Sequence, residues 1–223
     1  MPVISFANPK GGAGKTTTAL IAATMLAESG ATVSIIDADP ERWISQWAAL
    51  PGKPEAIRIV SDVTEDTVAD AIEAESARSA FVIVDLEGTA SLMVANAIGF
   101  SDFVVIPLQG SSMDAKGGAK ILRLIATQAR MARRQIPHAV VLTRTSAAVK
   151  SRSLKNVTAE LSEAGVPVFT TAIVERAAYR DLFDYGGMLT GLNQATTSGV
   201  PKAIENAQEF AGELVAKIRE AMA

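Results

Sequence analysis

"NPKGGAGKTTT", residues Asn8 to Thr18, follows an apolar run from Val3 to Ala7 and precedes helical spacing from about Thr16 to Ser29, which Gly30 closes. Strand, glycine loop and helix in that order form the setting in which a lysine and a hydroxyl after glycine hold a triphosphate. Small residues let backbone amides turn toward phosphate oxygens, and the helix N-terminus adds its partial positive charge. On this pattern Gly11, Gly12, Ala13, Gly14, Lys15, Thr16 and Thr17 line a nucleotide. Lys15 pairs with the β- and γ-phosphates, and the Thr16 hydroxyl ligates Mg²⁺. Pro9 stands where the ordinary loop has its first glycine, and a second lysine, Lys10, precedes Gly11. One lysine suffices for the phosphates, so Lys10 needs its own explanation.

Outward from the loop, short apolar runs alternate with helical patterns almost throughout. This predicts an α/β fold, doubly wound, with a mostly parallel sheet covered by helices on both faces. Strands are expected at Val3 to Ala7, Thr32 to Ile36, Ile57 to Val60, Phe81 to Val84, Phe103 to Ile106, Ala139 to Leu142 and Val166 to Thr171. Helices are expected from Pro40 through Trp43 and Trp47, over Thr64 to Ala77, Asp114 to Arg134 and Ser153 to Ala164, and from Pro201 to Met222. No repeat or linker interrupts the alternation, so residues 1–223 read as a single domain. Ligands of such sheets bind at the carboxyl ends of the strands. The glycine loop, Asp37 and Asp39 of "IIDADPERW", and Asp85 of "FVIVDLEG" all fall on that rim. A carboxylate at such a strand end holds Mg²⁺ through water, the role expected of Asp85. Asp39 before Pro40 also fits a helix cap followed by a first-turn proline.

Composition narrows the chemistry. The 223 residues are 48% hydrophobic and 20% charged, a globular balance, and no apolar run approaches the roughly 20 residues of a membrane helix. With no leader-like start, a cytoplasmic location is expected. Cysteine is absent, which excludes disulfides, thiolate metal sites and cysteine-ligated iron–sulfur clusters. His138 has no partner residues for a metal site or triad and is given no role. Net charge is −3, but ten of the 21 Lys and Arg fall between Phe103 and Ala159, where Asp114 is the only acid. They are Lys116, Lys120, Arg123, Arg130, Arg133, Arg134, Arg144, Lys150, Arg152 and Lys155. Such a window is either a set of solvated helix faces or a surface for a polyanion.

The run K-G-G-A-G-K-T-T, from Lys10 to Thr17, resembles the deviant Walker motif of the ParA/MinD family of P-loop ATPases. The resemblance implies that Lys10 is the signature lysine, reaching across an ATP-sandwich homodimer to the phosphates held by the other subunit. It implies ATP and Mg²⁺ as cofactors, catalytic roles for Lys10, Lys15 and Asp39, with Asp39 positioning the attacking water, and Mg²⁺ near Thr16, Asp37 and Asp85. Three positions depart from the family's usual pattern: Glu41 for Gln, Leu86-Glu87-Gly88 for Ser/Thr-Pro-Pro, and Thr143-Arg144 where Asn reads adenine. Thr143 and Arg144 are nonetheless the residues that fall at the base.

"ERAAYRDLFDYGGML", Glu175 to Leu189, resembles small plasmid-type ParA proteins and the conjugation-associated ATPase of Agrobacterium virulence plasmids. By the same resemblance the basic window, Arg144 apart, implies nonspecific DNA binding by the ATP-bound dimer and association with the nucleoid. A ParB-like centromere-binding protein or other adaptor is the implied stimulating partner, with partition or positioning of a plasmid, chromosome or other cargo as the outcome. The first strand begins at Val3, so no N-terminal helix-turn-helix extension is expected. Two alternatives share the loop: a conjugative DNA-transfer accessory ATPase, and an ATP-dependent amide-forming biosynthetic enzyme. MinD-like relatives end in a basic amphipathic segment, but the polar positions of the last helix here are Glu205, Glu209, Glu213, Lys217, Arg219 and Glu220, four of the six acidic, so no stable membrane association is expected.

Overall fold

A computed structural model describes residues 1–89, 91–110, 112–146 and 152–223, with the backbone alone for 112–116, 152, 153 and 155. Seven strands form one parallel sheet: β1 (Val3–Phe6), β2 (Val33–Ala38), β3 (Ile57–Val60), β4 (Phe81–Leu86), β5 (Phe103–Leu108), β6 (His138–Thr145) and β7 (Ile173–Val174). Their spatial order is β3-β2-β4-β1-β5-β6-β7. The order reverses on either side of β1, which places the glycine loop at the switch point where such sheets bind ligands.

The helices are α1 (Lys15–Glu28), α2 (Trp43–Ala49), α3 (Val68–Ser76), α4 (Leu92–Gly99), α5 (Ser112–Ala132), α6 (Arg152–Glu163), α7 (Ala177–Tyr185) and α8 (Val200–Met222). Two apolar cores lie on opposite faces of the sheet. One joins it to α1, α2, α7 and α8, the other to α3, α4, α5 and α6. Helix α1 is buried almost all round, between the sheet and α8, which is why its sequence is apolar on every face.

Register carries functional weight. In the pairing of β2 with β4, Asp37 lies opposite Asp85, and in the pairing of β1 with β4, Phe6 lies opposite Asp85. The two acids therefore leave neighbouring strands side by side at the rim, next to the loop that begins beyond β1.

Several boundaries differ from the sequence reading, α3 among them, which starts at Val68 rather than Thr64. Helix α2 starts at Trp43 rather than Pro40. Residues 39–42 instead form a turn, with the Arg42 amide bonded to the Asp39 carbonyl at 2.9 Å and the Glu41 amide to Asp39 Oδ1 at 3.0 Å. The Asp39 side chain thus closes a local turn instead of capping the helix. The expected strand over Val166 to Thr171 reduces to one bridge between Val168 and Val140, and β7 forms later, at Ile173–Val174. Pro167, which has no N–H to donate, falls in this stretch, and the ladder with β6 shifts register between Thr143 and Thr145. Two helices, α4 and α7, answer to no expected element.

Candidate functional site

The loop is held in shape by neighbouring strand ends. Asn8, at the end of β1, donates through Nδ2 to the Pro107 carbonyl at 2.6 Å and accepts the Lys10 amide at 2.9 Å. Gln109, beyond β5, donates to the Gly12 carbonyl at 2.6 Å. Thr143 of β6 donates its hydroxyl to the Ala13 carbonyl at 2.7 Å. With these carbonyls engaged by the scaffold, the loop is preorganised before any ligand arrives. Gly14 has φ 93°, a left-handed conformation open to glycine, and a Cβ there would meet Thr143 at 3.3 Å. Gly88, after β4, closes over the other side: a Cβ there would stand 3.3 Å from the Gly11 nitrogen and 3.5 Å from Lys15 Nζ.

Lys15 opens α1 and is 5% exposed. Burial pushes its pKa down, opposed by the nearby carboxylates of Asp85, Asp39 and Glu87. Asp85 is fully buried, and neither of its oxygens has a hydrogen-bond partner among the described residues. Burial raises its pKa to about 8. The Thr16 hydroxyl, close by but short of a regular hydrogen bond, and Lys15 pull it down, while Asp37 and Asp39 push it further up. Asp37 is 1% exposed; burial raises its pKa too, against two hydrogen bonds from Ser45 to Oδ2, while Oδ1 is left without a partner.

Three orphaned, buried carboxylate oxygens beside a hydroxyl residue are costly in isolation and suit a hydrated divalent cation. Among the described residues no trio of His, Cys, Asp or Glu forms a metal cluster. Mg²⁺ on a nucleotide does not require one, because it keeps several waters and takes phosphate oxygens. Asp39 is half-buried on the same rim. Lys10 is partly buried beside the loop.

Beyond Gly14 a cleft continues between the ends of β6 and β7 and the start of α7. It is lined by Thr17, Thr143, Arg144, Val174, Arg176 and Tyr179, among others. Arg144 is exposed and has φ 50°, a left-handed value unusual for a side-chain-bearing residue. The Thr143 hydroxyl supports the loop, so it has no second hydrogen to donate to a base in this cleft. Arg176 brings a buried Nε with no hydrogen-bond partner to the same place. Arg176 and Tyr179 fall in the stretch Glu175 to Leu189 that carries part of the resemblance, but neither was given a role from sequence, since nothing in a lone arginine before a helix marks a cleft.

Residues 1–222 match the model of the VirC1 protein family. The chain belongs to the VirC1 family. This VirC1-family chain is also 42% identical over 222 residues to a protein named ParA from Rhizobium radiobacter, with both chains covered completely. Among solved structures, apo McdA from Cyanothece superposes with a TM-score of 0.78 at 19% identity, covering 100% of each chain. A plasmid partition protein from Borrelia burgdorferi bound to AMPPNP superposes with a TM-score of 0.71 at 17% identity, covering 97% of this chain and 99% of the other. The VirC1-family chain thus resembles a ParA protein along its whole length and has the P-loop fold of McdA, the Borrelia partition protein and MinD. No helix among the described residues is long and apolar enough to cross a membrane.

Among the described residues of the basic window, Arg144 lies in the cleft and the rest fall on α5 and just beyond its end. Lys120, Arg123 and Arg130 are exposed on α5, spaced by three and seven residues, which keeps them on one side of the helix. Arg123, Arg130 and Arg133 line an open groove of about 880 Å³, with Arg134 at its edge. Arg134 is anchored: its Nη2 donates to the carbonyls of Gly99 and Ser101, each at 2.8 Å, which caps the C-terminus of α4. Lys150 lies outside the described residues, as do the side chains of Lys116, Arg152 and Lys155.

Proposed function

We propose that the chain, acting as a single domain over residues 1–223, is an Mg²⁺-dependent ATPase that pairs with a second copy around ATP, binds DNA nonspecifically and positions a DNA-borne or other cargo. The observation that carries this is the preformed loop with Lys15 facing a buried carboxylate pair whose oxygens have no protein partner. In this reading the loop amides and Lys15 bind the triphosphate, and Lys10 meets the phosphates of the second subunit. Thr16, with Asp85 and Asp37 acting through water, would hold Mg²⁺, and when bound the cation neutralises charge on the β- and γ-phosphates. Asp39 orients the water that attacks the γ-phosphorus, a task of positioning more than of strong basicity. The cleft at Thr143, Arg144 and Arg176 receives the nucleoside. Turnover is slow and stimulated by an adaptor of the ParB type, and the DNA-bound dimer associates with the nucleoid in the cytoplasm.

The exposed arginines and lysine of α5 support a sequence-independent contact with phosphates. The match to the VirC1 family supports a second reading of the same chemistry, a DNA-transfer accessory ATPase that recognises one particular site. One experiment addresses both. Asp39→Ala protein is mixed with random-sequence duplex and with ATP·Mg²⁺ or ADP over a salt series, while mass is followed by light scattering. The expected result is a dimer with ATP alone, bound to DNA with a steep salt slope, and no dimer in the Asp39→Ala/Lys10→Ala double variant. A dimer that ignores random DNA but protects a defined sequence in footprinting favours the transfer reading. Absence of ATP-dependent dimerisation overturns both.

A further inference from the structure

Ser45 carried no expectation from the sequence, yet it makes the shortest contact to the carboxylate pair. Its hydroxyl donates to Asp37 Oδ2 at 2.6 Å and its backbone amide to the same oxygen at 2.8 Å. Helix α2 has no cap of its own. Arg42, at the N-cap position, has φ 51° and accepts no amide through its side chain. Asp37, reaching over from β2, takes that place and receives the charge-assisted bonds that a helix N-terminus offers an anion.

Both bonds converge on one oxygen. They fix the rotation of the carboxylate and leave Oδ1, buried and unpartnered, as the oxygen available to a ligand, on the strand end paired in register with Asp85. A bystander cap would not need a carboxylate buried to 1% with its second oxygen orphaned, because an exposed Asp or Ser at the N-cap satisfies a helix at lower desolvation cost.

We propose that Ser45 is a positioning residue for the divalent-cation site, orienting Asp37, and that through this pair occupancy of the site is felt by α2. The proposal rests on the nucleotide reading above. The chain supplies its own reporter, because both of its tryptophans sit on α2. Trp43 is 47% exposed and Trp47 is 1% exposed, with its indole N–H bonded to the Gly187 carbonyl at 3.1 Å. Intrinsic tryptophan emission therefore arises from this helix alone, and through Trp47 it also registers the segment at Gly187 that the indole is bonded to.

The test titrates MgCl₂ into wild type, Ser45→Ala, Ser45→Cys and Ser45→Thr protein saturated with AMPPNP, which removes hydrolysis from the readout. Emission and calorimetry are recorded in parallel, after melting curves in EDTA show which variants fold. Residues that orient a metal's ligand typically contribute tenfold or more in affinity. Ser45→Ala is therefore expected to need about ten times more Mg²⁺ for half-saturation, with AMPPNP affinity in EDTA unchanged and the midpoint restored by Ser45→Thr. Ser45→Cys shifts in the same direction and stands in if the alanine variant does not fold. A wild-type midpoint in the Ala and Cys variants, or an equal shift in Thr, overturns the positioning role. Emission that ignores Mg²⁺ while calorimetry records its binding overturns the link to α2. If wild type binds no nucleotide by calorimetry, the nucleotide reading itself fails and this inference falls with it.

Discussion

Asp85 shows how strongly one residue can be set against its own fold. Its carboxyl pKa is near 8 in the folded protein, against 3.8 unperturbed. Between those values the folded state keeps a proton that the unfolded chain releases, so without nucleotide and metal, stability falls as pH rises from about 4 to about 8 and levels off above. Asp37, raised in the same direction, adds to the slope. Asp85→Asn has no proton to hold. Its melting temperature in EDTA is expected to be flatter across that window and several degrees above wild type at pH 8, a difference on the order of a few kcal/mol. Melting curves at a series of pH values check this, and a variant with the wild-type slope refutes it. The stabilised variant is expected to lose Mg²⁺-dependent nucleotide binding, the usual exchange of stability for function at a charged site.

At the scale of elements, α8 is fastened as well as packed. Glu213 accepts the amides of Thr170 and Thr171 at 2.7 and 2.8 Å, and Lys217, one turn on, lies 3.6 Å from it and over the Phe169 ring. Burial pushes the Glu213 pKa up, but these amides and Lys217 bring it below the usual range overall. Its contribution is present above the unfolded value of 4.5 and is lost as pH falls below it. Glu213→Ala is expected to cost about 1–3 kcal/mol in urea unfolding at neutral pH, with nucleotide binding unchanged. A cost under about 0.5 kcal/mol would mean that packing alone holds the helix.

The elements also show where the sequence was legible. The loop, Asp37, Asp39 and Asp85 were readable because chemistry and strand ends coincide there. Six of the seven strands, β1 to β6, were readable because buried parallel strands are written as largely apolar runs. Helix α4 was missed although Ser91 caps it by accepting the Val94 amide at 3.3 Å, since eight residues give too few turns for a period to stand out. Helix α7 buries only Ala178, Tyr179 and Leu182, and β7 is two residues long. The roles of Ser45, Gln109 and Gly88 were out of reach, because each depends on a tertiary neighbour distant in sequence or across a turn.

Across the described residues, a chain of net charge −3 presents a basic groove at the end of α5. If that groove meets phosphates, each contact releases a counterion and adds about 0.9 to the slope of log affinity against log salt. The double variant Arg123→Ala/Arg130→Ala is expected to lower that slope by about 2 for random-sequence duplex, without altering ATP-dependent dimerisation. An unchanged slope would move the DNA surface elsewhere on the chain.

The pairing of Asp37 and Phe6 with Asp85 also has a consequence in time. The site exists only when β4 has inserted between β1 and β2 in the correct register, and a slip of one residue would turn its acids to the opposite face. Those contacts close long stretches of chain and are among the slower events of folding, whereas helices form locally and early. Competence to hold a nucleotide therefore arrives late, as a property of the finished sheet: a newly made chain can be helical and collapsed while still blind to its ligand.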